Sequence, residues 1–107
     1  MITIDQFREL ELKVGTVTAA EPHPNADRLV VLRVDVGESE PRQIVAGIRA
    51  HYAPEALVGR QIVVVANLEP AKLRGVESQG MLLAASSDDR VVLVRPDETM
   101  SPGATVR

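Results

Sequence analysis

The 107-residue chain contains no cysteine and no tryptophan. The absence of cysteine excludes a disulfide framework and a thiolate metal site. Aromatic residues are also scarce, since one Phe and one Tyr make up 2% of the chain. Proteins that bind single strands of nucleic acid without sequence preference stack successive bases on aromatic side chains. This chain lacks the rings for that mode, so any RNA that it binds should be held through phosphate and ribose on a folded shape.

Long apolar runs and the common catalytic motifs are missing as well. No run approaches the roughly 20 apolar residues that cross a bilayer, and the N-terminus MITIDQF lacks the features of a secretory signal. We therefore expect a cytoplasmic protein without a membrane partner. The only histidines, His23 and His51, lie far apart, and no serine lies in a nucleophile motif. We expect ordinary surface or loop histidines, no enzyme activity, no metal site and no cofactor.

The net charge of the chain is −3, whereas domains that bind nucleic acid often carry a basic excess. Acidic residues concentrate near the two ends, and the segment 28–74 has a small excess of Arg and Lys. Because a local patch creates its own field, the acidic total does not exclude a basic binding surface.

Alternating apolar residues predict a series of short strands. The predicted strands are 10–21, 28–36, 42–47, 60–68 and 80–86. Gly15 suggests a bulge or bend in the first of them, and 28–36 with 42–47 reads as an antiparallel hairpin. The fourth strand is apolar enough to be buried on both faces.

Two short helical segments complete the pattern. Thr3 and Gln6 predict a capping box at the N-terminus, and the segment 48–59 predicts a helical connection broken by Pro54 and closed by Gly59. Three strands, a helix and two strands is the element order of an OB-fold, a five-stranded Greek-key barrel. We therefore predict an all-β OB-fold with short helices, in one domain.

Residues 87–107 follow the predicted barrel, which spans about 10–86. They contain two further short strands, 90–96 and 103–107. Such a C-terminal β extension either covers an edge within the monomer or pairs with another subunit. The sequence pattern leaves both alternatives open.

The stretch AKLRGVESQGMLLAAS, residues 71–86, places Lys72 and Arg74 on one side of an extended segment. The planar guanidinium of arginine suits phosphate, and the lysine supplies a mobile point charge. Nearby, Asn67 and Ser78 can donate or accept a hydrogen bond at a ribose hydroxyl. The alternative is that the two cations only solvate a hairpin tip while Asn67 caps a turn.

Three segments together resemble the tRNA-binding OB domain family. They are NLEPAKLRGVESQGMLLAAS (67–86), LELKVGTVTAAEPHPNADRLVVLRVDVG (10–37) and RQIVAGI (42–48). Members of that family occur as a free-standing dimeric tRNA-binding protein and as the C-terminal extension of methionyl-tRNA synthetase. The resemblance runs from about Ile4 to the C-terminus. It implies a non-catalytic module that grips the outer corner of folded tRNA regardless of the tRNA's identity.

The resemblance also implies roles for individual residues. Lys72 and Arg74 fall at positions expected on phosphates, Asn67 and Ser78 at polar contacts in the groove, and Met81 at a position that packs beneath it. Four further cations are candidate RNA contacts: Lys13, Arg28, Arg33 and Arg42. The family's dimer implies a homodimer with the C-terminal stretch at the interface. The acidic total predicts weak, salt-sensitive tRNA binding.

Two alternative functions remain open beside a module that acts in trans. The chain could be the tRNA-binding and dimerisation domain of methionyl-tRNA synthetase. It could also resemble a bacterial secretion chaperone of the same fold and bind a peptide between the PHPNAD loop (22–27) and the 70–80 loop. An apolar peptide does not require the pair Lys72 and Arg74, so that pair favours RNA. A purely structural subunit is a third possibility.

Overall fold

The structure is a computed structural model that describes all 107 residues. Two short helices and ten strands follow one another along the chain. They are α1 (Ile4–Phe7), β1 (Leu12–Pro22), β2 (Val30–Asp35), β3 (Arg42–Ala46), α2 (Pro54–Leu57), β4 (Gln61–Val65), β5 (Ala71–Leu73), β6 (Val76–Ser78), β7 (Met81–Leu82), β8 (Ala84–Ser87), β9 (Arg90–Leu93) and β10 (Thr105–Val106). None of the helices is long enough and apolar enough to cross a membrane.

The main sheet has the strand order β3-β2-β1-β4-β7, and each neighbouring pair is antiparallel. The long strand β1 pairs with β4 through its first half and with β2 through its second half. The strand β1 thus pairs with a neighbour on each side within a nearly closed sheet. The all-β OB-fold predicted from the element order is confirmed.

Both helical predictions are confirmed. The Thr3 hydroxyl accepts a hydrogen bond from the Gln6 amide, and the Gln6 side chain accepts from the Thr3 amide, which completes the capping box. The helix α2 begins at Pro54 and ends before Gly59. Gly59 has a φ of 89°, in the left-handed region that favours glycine after a helix.

The structure corrects the sequence prediction at two strand positions. The register of β1 against β2 shifts between Val17 and Ala19, not at Gly15. A Cβ at Gly15 would lie 2.5 Å from Val34 Cγ1, so this glycine makes room for a core side chain. The predicted strand 80–86 is divided, because only Met81–Leu82 pairs with β4 while Ala84–Ser87 turns away to pair with β9.

The core lies inside the barrel, where apolar side chains of β1 to β4 and α2 meet. Its fully buried members are Val17, Val30, Leu32, Val34, Val36, Ile44, Leu57, Ile62 and Val64. The prediction that the fourth strand is buried on both faces is confirmed for Ile62 to Val65.

A second, smaller apolar cluster lies on the outer face of β1 and β4. It contains Leu12, Val63 and Val65, and Phe7 of α1 and Val106 of β10 pack against it. The strand β10 also pairs with the start of β1. The C-terminal extension therefore covers part of its own barrel, which agrees with the alternative that it covers an edge within the monomer.

Candidate nucleic-acid interface

The loop at 70–80 forms a β-hairpin, made of β5 and β6 and called the hairpin below. Arg74 and Gly75 join its two strands, with φ of 53° and 86°. Positive φ at both central residues is the requirement of a type I′ turn, which favours Asn-Gly or Asp-Gly. An arginine in the left-handed region costs conformational energy that Asn or Gly would avoid. Backbone strain of this kind at an exposed side chain points to a functional demand on that side chain.

The two predicted cations of the hairpin are exposed and free of ion pairs. Lys72 lies opposite Glu77 in the strand register, and Arg74 projects from the tip. The chain forms only two ion pairs, Arg8–Asp5 and Arg42–Glu38. The donors of Lys72 and Arg74 are therefore available for a ligand, although the carboxylate of Glu77 weakens the local positive field.

The structure brings Arg28 to the tip of the hairpin. Arg28 and Arg74 line one shallow depression of about 370 Å³, together with Ala26, Asp27 and Leu29. We call it the arginine depression. Its lining combines two guanidinium groups and one carboxylate with two apolar side chains, which is chemistry suited to a phosphate and its sugar.

His23 joins the two halves of the arginine depression, a role that the sequence pattern did not suggest. The expectation of an ordinary surface or loop histidine fits His51, which is exposed, but it misses the burial of His23, which lies in the loop after β1 and is only 3% exposed. Its Nδ1 accepts a hydrogen bond from the Asn25 amide at 2.9 Å, and its Nε2 lies 2.9 Å from the Leu73 carbonyl oxygen. Since a carbonyl only accepts, the hydrogen is on Nε2.

Ser78 lies inside the molecule and supports the hairpin. The residue is 5% exposed. Its hydroxyl accepts from the Val45 amide at 3.0 Å and donates to the Gly80 carbonyl at 2.9 Å. The hydroxyl is thus engaged by the backbone at the open edge of β3.

Gln79 continues the closure of that edge. Its side-chain carbonyl accepts from the Gln43 amide at 2.9 Å, and its own amide donates to the Gln43 carbonyl at 2.7 Å. The Gln43 side chain donates in turn to the Glu77 carbonyl. We call this row of bonds between β3 and residues 77–79 the seam. The seam supplies hydrogen-bond partners, mostly side chains, to backbone groups on the edge of β3 that no neighbouring strand pairs with. It also anchors the base of the hairpin.

Asn67 and Met81 lie away from the tip. The Asn67 amide group accepts from the Glu11 amide at 2.9 Å and donates to the Glu9 carbonyl at 2.7 Å. It therefore ties the segment before β1 to the end of β4. Met81 pairs with Val65 in the sheet, and its side chain is 49% exposed. It lies on the surface and does not pack beneath a groove.

Arg42 is the most fully engaged of the predicted RNA contacts. Its guanidinium donates to both carboxylate oxygens of Glu38, at 2.8 and 2.9 Å, and to the carbonyls of Ala66 and Gln79. The hydrogen bond from Arg42, aided by its charge, holds the pKa of Glu38 below its usual value, and Glu38 raises the pKa of Arg42. Arg42 thus joins β3 to the ends of β4 and the hairpin.

The remaining two predicted contacts are not gathered at the tip. Arg33 is exposed on β2, where it pairs with Ala19 and Gln43. Lys13 lies near the start of β1 and lines a depression with Arg8 and Arg107. That depression is at the opposite end of β1 from the loop that carries Arg28.

Comparison with known proteins gives the family. The model described as "Putative tRNA binding domain" matches residues 12–105. The chain belongs to this tRNA-binding domain family. The resemblance stated from the sequence is therefore confirmed over nearly the whole chain.

Relatives of this tRNA-binding domain, and solved structures similar to it, agree with the assignment. The methionine–tRNA ligase of Thermococcus kodakarensis is 53% identical over 106 residues, which cover 99% of this chain and 14% of that protein. The crystal structure of a MetRS related protein from Pyrococcus horikoshii has a TM-score of 0.92 at 41% identity, with 100% and 98% of the two chains covered. The chaperone CsaA of Bacillus anthracis gives 0.90 at 34% identity, with 100% and 99% covered. The domain thus spans about one seventh of the ligase that it matches.

Proposed function

We propose that this domain binds folded tRNA through shape and backbone, without catalysis, and that the hairpin tip is the centre of the contact. The observation that carries the proposal is the pair Lys72 and Arg74, exposed and free of ion pairs, with Arg74 beside Arg28. Membership of the tRNA-binding domain family supports it. The scarcity of aromatic rings favours contacts to phosphate and ribose over base stacking.

Under this proposal, the residues predicted as RNA contacts include two groups with different roles. Lys72, Arg74 and Arg28 contact the RNA, since they form no ion pair and lie on the hairpin or beside its tip. Lys13 and Arg33 also form no ion pair, but they lie away from the tip. Asn67, Ser78 and Arg42 position the loop that carries them, because their polar groups are already bonded to the protein's own backbone or to Glu38. The affinity is weak and salt-sensitive, since the net charge of −3 opposes a polyanion outside the local patch.

The test is a titration of unfractionated folded tRNA against unstructured RNA of equal length, at two salt concentrations. We expect tighter and more salt-dependent binding to folded tRNA. The double variant Lys72→Ala/Arg74→Ala should lose at least tenfold in affinity. It should also flatten the dependence of log K on log salt by about 0.8 for each phosphate contact removed.

A matched control separates this local effect from the loss of net charge. Arg8→Ala/Arg60→Ala removes the same charge at exposed positions outside the arginine depression and outside the C-terminal stretch. We expect its affinity for tRNA to stay within about threefold of the wild type. Equal losses in the two double variants, or equal binding of folded and unstructured RNA, would contradict the proposal.

We further propose that the domain acts with an aminoacyl-tRNA synthetase, either as part of the chain or in association with it. The support is the 53% identity to a methionine–tRNA ligase of which it covers 14%. Such a module would raise the affinity of a synthetase for tRNA. The size of the native polypeptide, measured by mass spectrometry, decides between the two forms. The cytoplasmic location predicted from the sequence stays a prediction.

We also propose a homodimer that uses the C-terminal stretch 87–107. On β9, Val91 and Leu93 pack against the main core, whereas Val92 and the following Val94 are exposed. Exposed apolar residues on one face of a strand are typical of an interface. Light scattering should give twice the monomer mass for the wild type and the mass of a single monomer for Val92→Glu/Val94→Glu. Val58→Glu, at an exposed valine after α2, is the control that stays dimeric; an unchanged mass of the double variant would contradict the interface.

Peptide binding is the second candidate function, favoured by the TM-score of 0.90 with a protein described as a chaperone. The same variants discriminate the two functions. Lys72→Ala/Arg74→Ala should leave the binding of an unfolded apolar peptide unchanged while it weakens tRNA binding. A domain that binds the peptide and not tRNA would favour the chaperone function.

A further inference from the structure

The bond between His23 and Leu73 joins two segments that lie 50 residues apart in sequence. One segment is the loop 23–29, which carries Arg28, and the other is the hairpin, which carries Arg74. No other hydrogen bond connects the loop to the hairpin. The Arg28 carbonyl also accepts a hydrogen bond from the Arg49 amide at 3.3 Å, and the seam holds the base of the hairpin, but only the His23 ring bonds the loop directly to the hairpin.

We propose that His23 is a positioning residue that holds Arg28 and Arg74 around one phosphodiester group of the bound RNA. This inference rests on the proposed tRNA-binding function and names the subsite within it. The arginine depression of about 370 Å³ is the place where that phosphate binds. Two guanidinium groups on one phosphate supply planar, charge-assisted hydrogen bonds.

The geometry of His23 restrains both sides of the depression. On one side, the Leu73 carbonyl that accepts from Nε2 belongs to the residue directly before Arg74. On the other side, the Asn25 amide donates to Nδ1, and the His23 amide donates to the Leu29 carbonyl at 3.1 Å, which closes the loop around Arg28. Both ring nitrogens are satisfied, as a buried imidazole requires.

A role in closing the barrel does not account for this arrangement. The base of the hairpin is already anchored by the seam, through Ser78 and Gln79 on β3. The bond from His23 is made further along, beside the tip. Its loss should therefore free the tip relative to the loop and leave the seam in place.

The test compares His23→Gln with His23→Asn. The side-chain amide of Gln reaches about as far as Nε2 and can donate to the Leu73 carbonyl, whereas the amide of Asn ends near the level of Nδ1. We expect His23→Gln to keep its affinity for tRNA within about threefold and His23→Asn to lose about tenfold. The melting temperatures of the two variants should agree within a few degrees. Equal affinities would overturn the proposal.

A combination with Arg74→Ala shows whether His23 acts through the arginine. In that background, His23→Asn should cause no further loss of affinity. The same tenfold loss in both backgrounds would mean that His23 acts elsewhere, and would overturn the proposal.

The salt dependence supplies a test that does not depend on any variant at His23. If Arg28 and Arg74 share one phosphate, Arg28→Ala/Arg74→Ala should flatten the slope of log K against log salt by about 0.8, as one contact does. A decrease of about 1.6 would show two separate phosphates and overturn the shared subsite.

Failure of this inference is distinct from failure of the proposed function. If the wild type binds tRNA and Lys72→Ala/Arg74→Ala weakens it, while His23→Asn binds normally, only the role of His23 is wrong. A wild type that does not bind tRNA overturns both.

Discussion

The tip and the base of the hairpin region differ in what their polar groups bind. At the tip, Lys72 and Arg74 are exposed and form no ion pair. At the base, Ser78 and Arg42 form hydrogen bonds to backbone carbonyls, backbone amides or Glu38. The difference separates groups that can bind a ligand from groups that shape the barrel. Side-chain donors that have no partner within the protein, more than residue type, indicate the contact surface.

The largest effect on stability should come from Ser78→Ala, which breaks the base and leaves the tip chemically intact. The change leaves the buried Val45 amide without an acceptor. A buried unsatisfied donor costs about 2 kcal/mol of unfolding free energy, which lowers the melting temperature by roughly 10 °C in a domain of this size. Calorimetry measures the change, and the affinity for tRNA at 25 °C should stay within about threefold.

Ser86→Ala is the matched control for that experiment, because Ser86 lies exposed on β8. Its melting temperature should stay within 1–2 °C of the wild type, as roughly expected for surface substitutions. If Ser78→Ala unfolds at the wild-type temperature but loses tRNA, Ser78 belongs with the contact residues of the tip.

Arg42→Lys should give the next largest loss of stability. A lysine ammonium cannot form a two-point bond to Glu38 and reach the Ala66 and Gln79 carbonyls as well. We expect a loss of about 1 kcal/mol, the net value of one or two such hydrogen bonds. Chemical denaturation measures it, with Arg33→Lys on the exposed part of β2 as the control. A lower tRNA affinity without a loss of stability would place Arg42 in the interface.

Arg74→Gly should have a smaller effect on stability, and of the opposite sign. The change removes a side chain from the left-handed region, where it costs about 1–2 kcal/mol, and part of that gain is offset by the greater flexibility of glycine in the unfolded chain. We expect a gain of about 0.5 kcal/mol in denaturant titration and a loss of about tenfold in tRNA affinity. A loss of stability would show that the guanidinium supports the fold.

The smallest effect concerns pH. Arg42 holds the pKa of Glu38 below its usual value of about 4.5, so the ionised form is stabilised in the folded state. This contribution is present above pH 4.5 and is lost as the pH falls through the lower folded-state pKa. The difference in melting temperature between the wild type and Glu38→Gln should therefore shrink as the pH is lowered from 6 towards 3. A difference in melting temperature that does not change with pH would contradict a stabilising ion pair between Arg42 and Glu38.

The barrel could be predicted from the sequence because its strands have period-2 alternation and its helices have local cap signals. The pair Thr3 and Gln6 is such a cap signal. The strand β4 is the exception to alternation, and its continuous apolar run marks a strand buried on both faces. The sequence pattern predicts a loop at 70–80 where the structure has the hairpin, because β5 and β6 have only three residues each. Strands that short carry too little alternation to recognise.

The candidate site could be predicted only in part. Its cations follow from their types and spacing, but the state of each donor depends on residues distant in sequence. Ser78 meets Val45, Asn67 meets Glu9, and His23 meets Leu73. No local pattern marks these long-range bonds, so residues that bind and residues that support look alike in the sequence.

The seam has a thermodynamic consequence for the whole domain. The last side of the barrel is closed by side chains of the segment that also carries Lys72 and Arg74. A ligand that immobilises the hairpin favours the closed barrel, and by linkage it must slow the local opening of β3. The Gln43 and Val45 amides, which donate to Gln79 and Ser78, are therefore the reporters whose hydrogen exchange should become slower when the tip is occupied.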